Sequence, residues 1–327
     1  MTDAIRGLGE FGLIRKLTEQ LKQGDTVVHG IGDDCAVLAV GEKQLLLTCD
    51  ASLEDVHFKR HWGKPEDIGW KAAVSALSDI AAMGGRATAV LVTLALPEDL
   101  PVSYAEGLYR GLADAVESVG ATIVGGDTTA SRSGIIIDIT VIGEVVGRPV
   151  LRSGAQPGDV IAVTGAIGER GAGLHALLHD VDASELIRAY LHPSPRIEAG
   201  QWFQAQPGVH AMMDVSDGLL PDARHIAQAS GVGIDLFSDK LPKNDRLDAY
   251  WKSQGEGGSL QRVRSGEEYE LLVVLAAAEF DMICEAFSRY TGLLISVIGE
   301  CTKSHEGIQL DGSIPGATGF EHFCGRD

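Results

Sequence analysis

The sequence predicts an α/β (α+β) chain of two domains, and three observations carry this. Its 327 residues exceed one ordinary domain. Apolar, β-branched segments alternate along it with segments of helical periodicity. A stretch dense in turn formers, Gly147 to Gly158 (Gly-Arg-Pro-Val-Leu-Arg-Ser-Gly-Ala-Gln-Pro-Gly), separates two such alternating halves. The domains are therefore drawn as 1–150 and 151–327.

In the first half, Leu45 to Cys49 reads as a buried strand. Ile68 to Met83 reads as a helix closed by Gly84-Gly85. Ala89 to Leu96 is β-rich and is ended by Pro97. A helix is expected from Ser103, with Glu106 completing a capping box. Its apolar face is Ala105, Leu108, Tyr109, Leu112, Val116 and Val119, and Gly120 stops it. Ala121 to Val124 is a short strand ending at Gly125-Gly126-Asp127, and Ile135 to Val146 is a longer one. In the second half, strands are expected at 160–164, 210–215, 232–237, 269–276 and 294–299. Helices are expected within 165–178 and at 183–191, 196–205, 219–229 and 279–290, with 252–260 as a surface loop.

Composition narrows the function classes. A net charge of −19 argues against nucleic acid as the main partner, because phosphate backbones need basic surface. Nucleotides held through metal ions remain compatible with it. Cys35, Cys49, Cys284, Cys301 and Cys324 form no CxxC pair and are odd in number, which disfavours a disulfide framework or structural zinc. Reduced thiols in a cytoplasmic protein are the expectation. Met1 to Arg6 lacks a signal-peptide apolar region, and no apolar run is long enough to span a bilayer.

The chemistry is carried by aspartates placed where regular structure is expected to break. They occur in Gly30-Ile31-Gly32-Asp33-Asp34, Thr48-Cys49-Asp50, Ser78-Asp79, Gly125-Gly126-Asp127 and Asp214-Val215-Ser216-Asp217-Gly218. Carboxylates at such positions are poor core material and good ligands for hard cations. Taken singly, each matches an ordinary turn or a solvated helix face at least as well. Their repetition through both halves points to one cluster of Mg²⁺ ions, and hence to a phosphate substrate. Asp79 sits in an otherwise apolar helical pattern, so on the buried side it needs a cation or a charged partner. Arg152 suits bidentate phosphate binding. His57 and the acidic run Gly266-Glu267-Glu268-Tyr269-Glu270 are candidate substrate contacts, the latter suited to a positively charged group.

The ordered set now on the page, with Gly9-Glu10-Phe11, Leu77-Ser78-Asp79-Ile80-Ala81-Ala82-Met83-Gly84, Arg152-Ser153-Gly154-Ala155 and His192-Pro193-Ser194-Pro195-Arg196, resembles the thiamine-monophosphate kinases over nearly the whole chain. Single motifs are shared with the wider aminoimidazole ribonucleotide synthetase-like superfamily. The resemblance implies a two-domain fold of that type, each domain a mixed sheet flanked by helices, and dimerisation through the first domains. It implies ATP-dependent phosphorylation of thiamine monophosphate to thiamine diphosphate. The metal ligands it implies are Asp34, Thr48, Cys49 (through its backbone), Asp50, Asp79, Asp127, Asp214 and Asp217. It assigns nucleotide contacts to Tyr109, Gly126, Arg152 and Ser216, and substrate contacts to His57, Glu267 and Phe320. Several Mg²⁺ ions and ATP as co-substrate follow, and a monovalent cation is left open. Cys49, Phe320 and Glu268 stand where the family pattern has Thr or Ser, Trp or Tyr, and Asp. Two alternatives stay open: another ATP-using enzyme of the superfamily, or a non-catalytic sensor of nucleotide or thiamine phosphate.

Overall fold

The computed structural model describes residues 5–316 and 319–323; Met1 to Ala4 and Cys324 lie outside these residues. The first half comprises α1 (Gly9–Thr18), β1 (Val27–His29), β2 (Ala36–Val40), β3 (Lys43–Leu53), α2 (Pro65–Ala82), β4 (Arg86–Pro97), α3 (Val102–Ser118), β5 (Thr122–Ser131) and β6 (Ile136–Val145). Its six strands form one sheet in the order β1-β2-β3-β6-β4-β5. The β4–β5 pair is parallel and the other pairs are antiparallel. Burial along β6 alternates strictly, so one sheet face is covered and the other is open. The covering helices α2 and α3 cross closely. A side chain at Gly69 would meet the Leu108 carbonyl at 2.0 Å, and one at Gly111 would meet the Glu66 carbonyl at 1.9 Å.

The second half comprises β7 (Val160–Thr164), α4 (Glu169–Leu178), α5 (Ser184–Leu191), α6 (Ile197–Gln204), β8 (Val209–Asp214), α7 (Leu219–Ser230), β9 (Gly233–Leu236), α8 (Asp245–Ser253), α9 (Gly258–Arg264), β10 (Leu271–Leu275), α10 (Phe280–Thr291), β11 (Ile295–Thr302) and β12 (Gly307–Leu310). A second six-stranded sheet runs β12-β9-β11-β7-β10-β8, with β9–β12 parallel and the rest antiparallel. Both sheets are therefore mixed, as expected. The largest apolar core joins the halves: Leu77 and Ile80 of α2 share it with Met212, Leu271 and Val273. That shared core holds the two sheets as one packed unit.

Several expectations need correction. The capping box at Ser103 and Glu106 does not form, because α3 begins one residue earlier, with Pro101 at its N-cap and no side-chain cap bond. The strand expected to end at Gly125 continues to Ser131. As an edge strand β5 bonds only β4, where glycines are tolerated. Asp50 and Asp79 do not sit at breaks either; they lie inside β3 and α2. The segment 252–260 is not a loop throughout: it holds the end of α8 and the start of α9. The short elements α1, β1, β2 and β12 were not anticipated; β1 and β12 have only 3 and 4 residues, too few to show a period.

Candidate active site

A cavity of about 320 Å³ opens between the two sheets. Helix α2 builds its floor. Apolar on most of its surface, α2 turns one polar stripe into the cleft: Lys71, Ser75, Ser78 and Asp79. The spacing i, i+4, i+7, i+8 places these groups on one helical face. Ser75 donates to Asp50 of β3. Ser78 donates to Asp214 at 2.6 Å, across the domain junction. Thr48 donates to Asp79.

At one end, carboxylate oxygens of Asp34, Asp79 and Asp214 all lie within 4.8 Å of one another. Among the described residues, only Asp34 has a cationic partner there, the Arg152 guanidinium at 2.8 Å. Burial, and then repulsion from Asp214 and Asp34, push the Asp79 carboxyl well above the ordinary range. Burial and the neighbouring Asp34 push Asp214 to about 7. Asp217 also rises to about 7, through burial and then Glu10. Three buried acids this close need protons or a cation. A hard, all-oxygen donor set of this kind fits Mg²⁺. Asp33 points elsewhere: its carboxylate accepts from the Arg152 backbone N–H at 3.1 Å and lies 3.4 Å from His29.

The Asp214–Asp217 turn has its own brace. The buried Asp222 carboxylate accepts from the backbone N–H groups of Ser216 and Gly218, both at 3.1 Å. Gly218, with φ at +124°, starts α7 in a conformation that glycine readily adopts.

At the other end, Lys71 is buried, pairs with Glu267 and lies 4.6 Å from the Tyr190 ring centre. The carboxylate and the ring hold its charge, so its pKa moves up despite desolvation. His57 accepts from the Leu53 N–H through Nδ1 at 3.0 Å, and its Nε2 is 3.4 Å from that of His322. Accepting at Nδ1 leaves the ring proton on Nε2, and burial lowers the His57 pKa. Tyr269, His322 and Phe320 complete this wall. The Phe320 ring meets His322 edge-on at 4.7 Å.

Of the residues picked from sequence, Cys49, Asp50, His57, Asp79, Arg152, Asp214, Ser216, Asp217, Glu267 and Phe320 line this cavity. Asp34 and Thr48 join it through Arg152 and Asp79. The Cys49 thiol turns away, 3.4 Å from Asp138. Tyr109, Gly126 and Asp127 do not line it. Tyr109 is exposed on α3. Gly126 is three strands from Asp50 in register, roughly 14 Å at ordinary strand spacing. Asp127 shares a row with Thr93 and Asp138, one residue out of step with Asp50 and hence on the open sheet face. Sequence reading missed Lys71, Ser75, Tyr190, Asp222 and His322. The polar stripe on α2 was the available signal for Lys71 and Ser75.

The family model for the N-terminal domain of AIR synthase related protein matches residues 32–145, and that for the C-terminal domain matches 156–311. A thiamine-monophosphate kinase of Mycobacterium tuberculosis is 40% identical over 82% of this chain and 81% of its own length. The one from Aquifex aeolicus is 36% identical over 98% and 99%. The solved structure of AaThiL complexed with AMPPCP and TMP superposes with a TM-score of 0.88 at 36% identity, covering 98% of this chain and 99% of that one. The chain therefore belongs to the thiamine-monophosphate kinase family, among the AIR synthase related proteins.

Proposed function

We propose that this chain transfers the terminal phosphoryl group of ATP to thiamine monophosphate, yielding thiamine diphosphate, as a step of thiamine diphosphate biosynthesis in the cytoplasm. The observation that carries this is one cavity with three close carboxylates at one end, Asp34 beside Arg152 and Asp79 and Asp214 with hydroxyl partners, and an acidic, aromatic wall at the other. AaThiL, solved with AMPPCP and TMP, supports the same pair of substrates. Among the described residues no helix is long and apolar enough to cross a membrane.

Asp34, Asp50, Asp79, Asp214 and Asp217, with Thr48 and the Cys49 carbonyl, would hold Mg²⁺. When bound, the metal neutralises phosphate charge and stabilises the transferring group. Asp127 lies apart from the trio, in one row with Asp138 but with Thr93 between them, and would hold a separate ion. Arg152, poised beside Asp34, has the fork geometry to take a nucleotide phosphate oxygen. Ser216, on the braced turn, would meet the same nucleotide. At the other end, Glu267 and the faces of Tyr269 and Phe320 suit a ring with a fixed positive charge. Neutral His57 can donate from Nε2 to a polar group of the acceptor. The acceptor is already a phosphate monoester and a competent nucleophile near neutral pH, so no general base and no phosphoenzyme are required.

Domains 1–150 and 151–327 would share this site, with dimerisation through the first. The open face of the first sheet and its unpaired edge β5, exposed over most of its length, suit a second copy. Tyr109, Gly126 and Asp127 would meet the nucleotide at that edge. A monomer mass in light scattering would refute the dimer.

The decisive assay combines the purified protein with ATP, Mg²⁺ and thiamine monophosphate, and looks for thiamine diphosphate. A sensor would bind without product, and a relative with another substrate would give none. Near-normal turnover of Asp50→Asn or Asp127→Asn at saturating Mg²⁺ would remove that residue from the metal set.

A further inference from the structure

The His192-Pro193-Ser194-Pro195-Arg196 run has no part in the site as described so far, yet it is built into the wall behind the acceptor end. The acidic run 266–270 alternates in direction. Glu267 and Tyr269 face the cavity, while Glu268 and Glu270 are fully buried on the far side. Two residues of the run, Glu267 (φ +66°) and Tyr269 (φ +49°), hold left-handed backbone, which non-glycine residues adopt only when their surroundings impose it. The buried anchor is Glu270. It accepts a two-pronged guanidinium from Arg196, at 2.8 Å from Nε and 2.5 Å from the terminal nitrogen. Thr164 donates to it at 2.7 Å, and Arg170 lies 3.4 Å away. Glu268 accepts from the Gly171 N–H at 3.1 Å.

The turn that leads into Arg196 is held to α2. The Trp70 indole donates to the Pro193 carbonyl at 2.8 Å, and His192 meets Asp67 at 2.6 Å. Helix α2 also presents Lys71, which grips Glu267 from the cavity side. The loop is thus clamped from front and back by one helix, directly through Lys71 and indirectly through the proline-bounded turn and Arg196.

We propose that Arg196 is a positioning residue: its fork on Glu270 sets the strained loop so that Glu267 and Tyr269 present the acceptor-binding wall, fixing affinity for a cationic phosphate monoester. The inference rests on the acceptor reading above. The loop is bonded to the neighbouring Asp214–Asp217 turn, with the Val215 N–H on the Glu270 carbonyl at 2.8 Å and the Glu267 N–H on the Ser216 carbonyl at 2.6 Å, but that turn also has braces of its own in Asp222 and Ser78. Loss of the fork therefore disturbs the acceptor end more than the carboxylate end, which keeps its own braces.

The test compares Arg196→Lys and Arg196→Met with the unmutated protein, measuring KM for thiamine monophosphate, KM for ATP and kcat. Calorimetric binding of thiamine monophosphate without ATP, and the thermal midpoint, accompany the kinetics. The expected result is a KM for thiamine monophosphate raised roughly ten- to a hundredfold in Arg196→Met, with partial rescue in Arg196→Lys and KM for ATP held within about twofold. Unchanged constants in folded variants would overturn the proposal. So would a parallel rise of both KM values with a collapsed thermal midpoint, since the network would then serve only the fold. If the unmutated protein makes no thiamine diphosphate, the acceptor reading fails with the inference, and that failure is visible before any variant is made.

Discussion

The two ends of the cavity are both acidic, yet they are built in opposite ways. At the acceptor end and behind it, each buried carboxylate has a cation close by: Glu267 has Lys71, Glu268 has Arg170, and Glu270 has Arg196. At the other end, among the described residues, Asp34 alone is paired with a cation, while Asp79 and Asp214 receive hydroxyl hydrogen bonds and repel one another. Glu268 and Glu270, buried with Arg170 and Arg196 beside them, are part of the scaffold, whereas Glu267 still faces the cavity. Asp79 and Asp214, close together beside Asp34, have the donor set that suits an added cation.

The sharpest way to break this contrast is to remove charge at the bare end. Asp214→Asn is expected to lower kcat about a thousandfold, roughly 4 kcal/mol of lost transition-state stabilisation, while the fold is kept. A turnover within tenfold of the unmutated protein would show that the trio is not the metal site.

Removing a cation at the compensated end should cost stability. Arg196→Met leaves Glu270 buried beside only Arg170 and Thr164, and a loss of about 3 kcal/mol is expected in urea unfolding. An unchanged unfolding midpoint would show that Glu270 does not depend on its fork.

The third prediction sets pH against metal. Asp33, Asp214 and Asp217 rise from 3.8 to about 7 in the fold. The folded chain then holds these protons more tightly than the unfolded chain. Their contribution is fully present below about 4 and is lost as pH rises through 7. Without divalent cations the thermal midpoint should fall by several degrees between pH 5 and 8. Added Mg²⁺ should restore more at pH 8 than at pH 5, and Asp214→Asn should flatten both trends. Equal Mg²⁺ effects at the two pH values would contradict the uncompensated cluster.

The smallest effect concerns the aromatic wall. Phe320→Ala should raise KM for thiamine monophosphate several-fold, about 1 kcal/mol, with kcat little changed. An unchanged KM would remove Phe320 from the stacking surface.

Much of this was legible beforehand. The main alternation of strands and helices and nearly all the cavity aspartates could be read from periodicity and from repeated Asp near glycine or hydroxyl residues. Asp50 and Asp79, expected at breaks in regular structure, lie instead within β3 and α2, where Ser75 and Thr48 turn hydroxyls toward them. Asp127 passed the same sequence filter, but register puts it on the open face. A strand's two faces differ by one residue, so a motif alone does not say which face a side chain takes. Lys71 escaped notice because a single lysine in an apolar helix reads as a solvated position until Glu267 is packed over it.

By itself the sequence determined the family, the two alternating halves and the set of acidic residues from which the site is drawn. These follow from local period, turn chemistry and ordered motifs. Only the tertiary structure decided which acids meet and which are neutralised. Asp34, Asp79 and Asp214 come together, and Arg196 reaches Glu270, because the two halves share one apolar core around α2. Charge compensation acts over a few ångströms, between residues that can be more than a hundred positions apart in the chain, so packing rather than sequence order sets it.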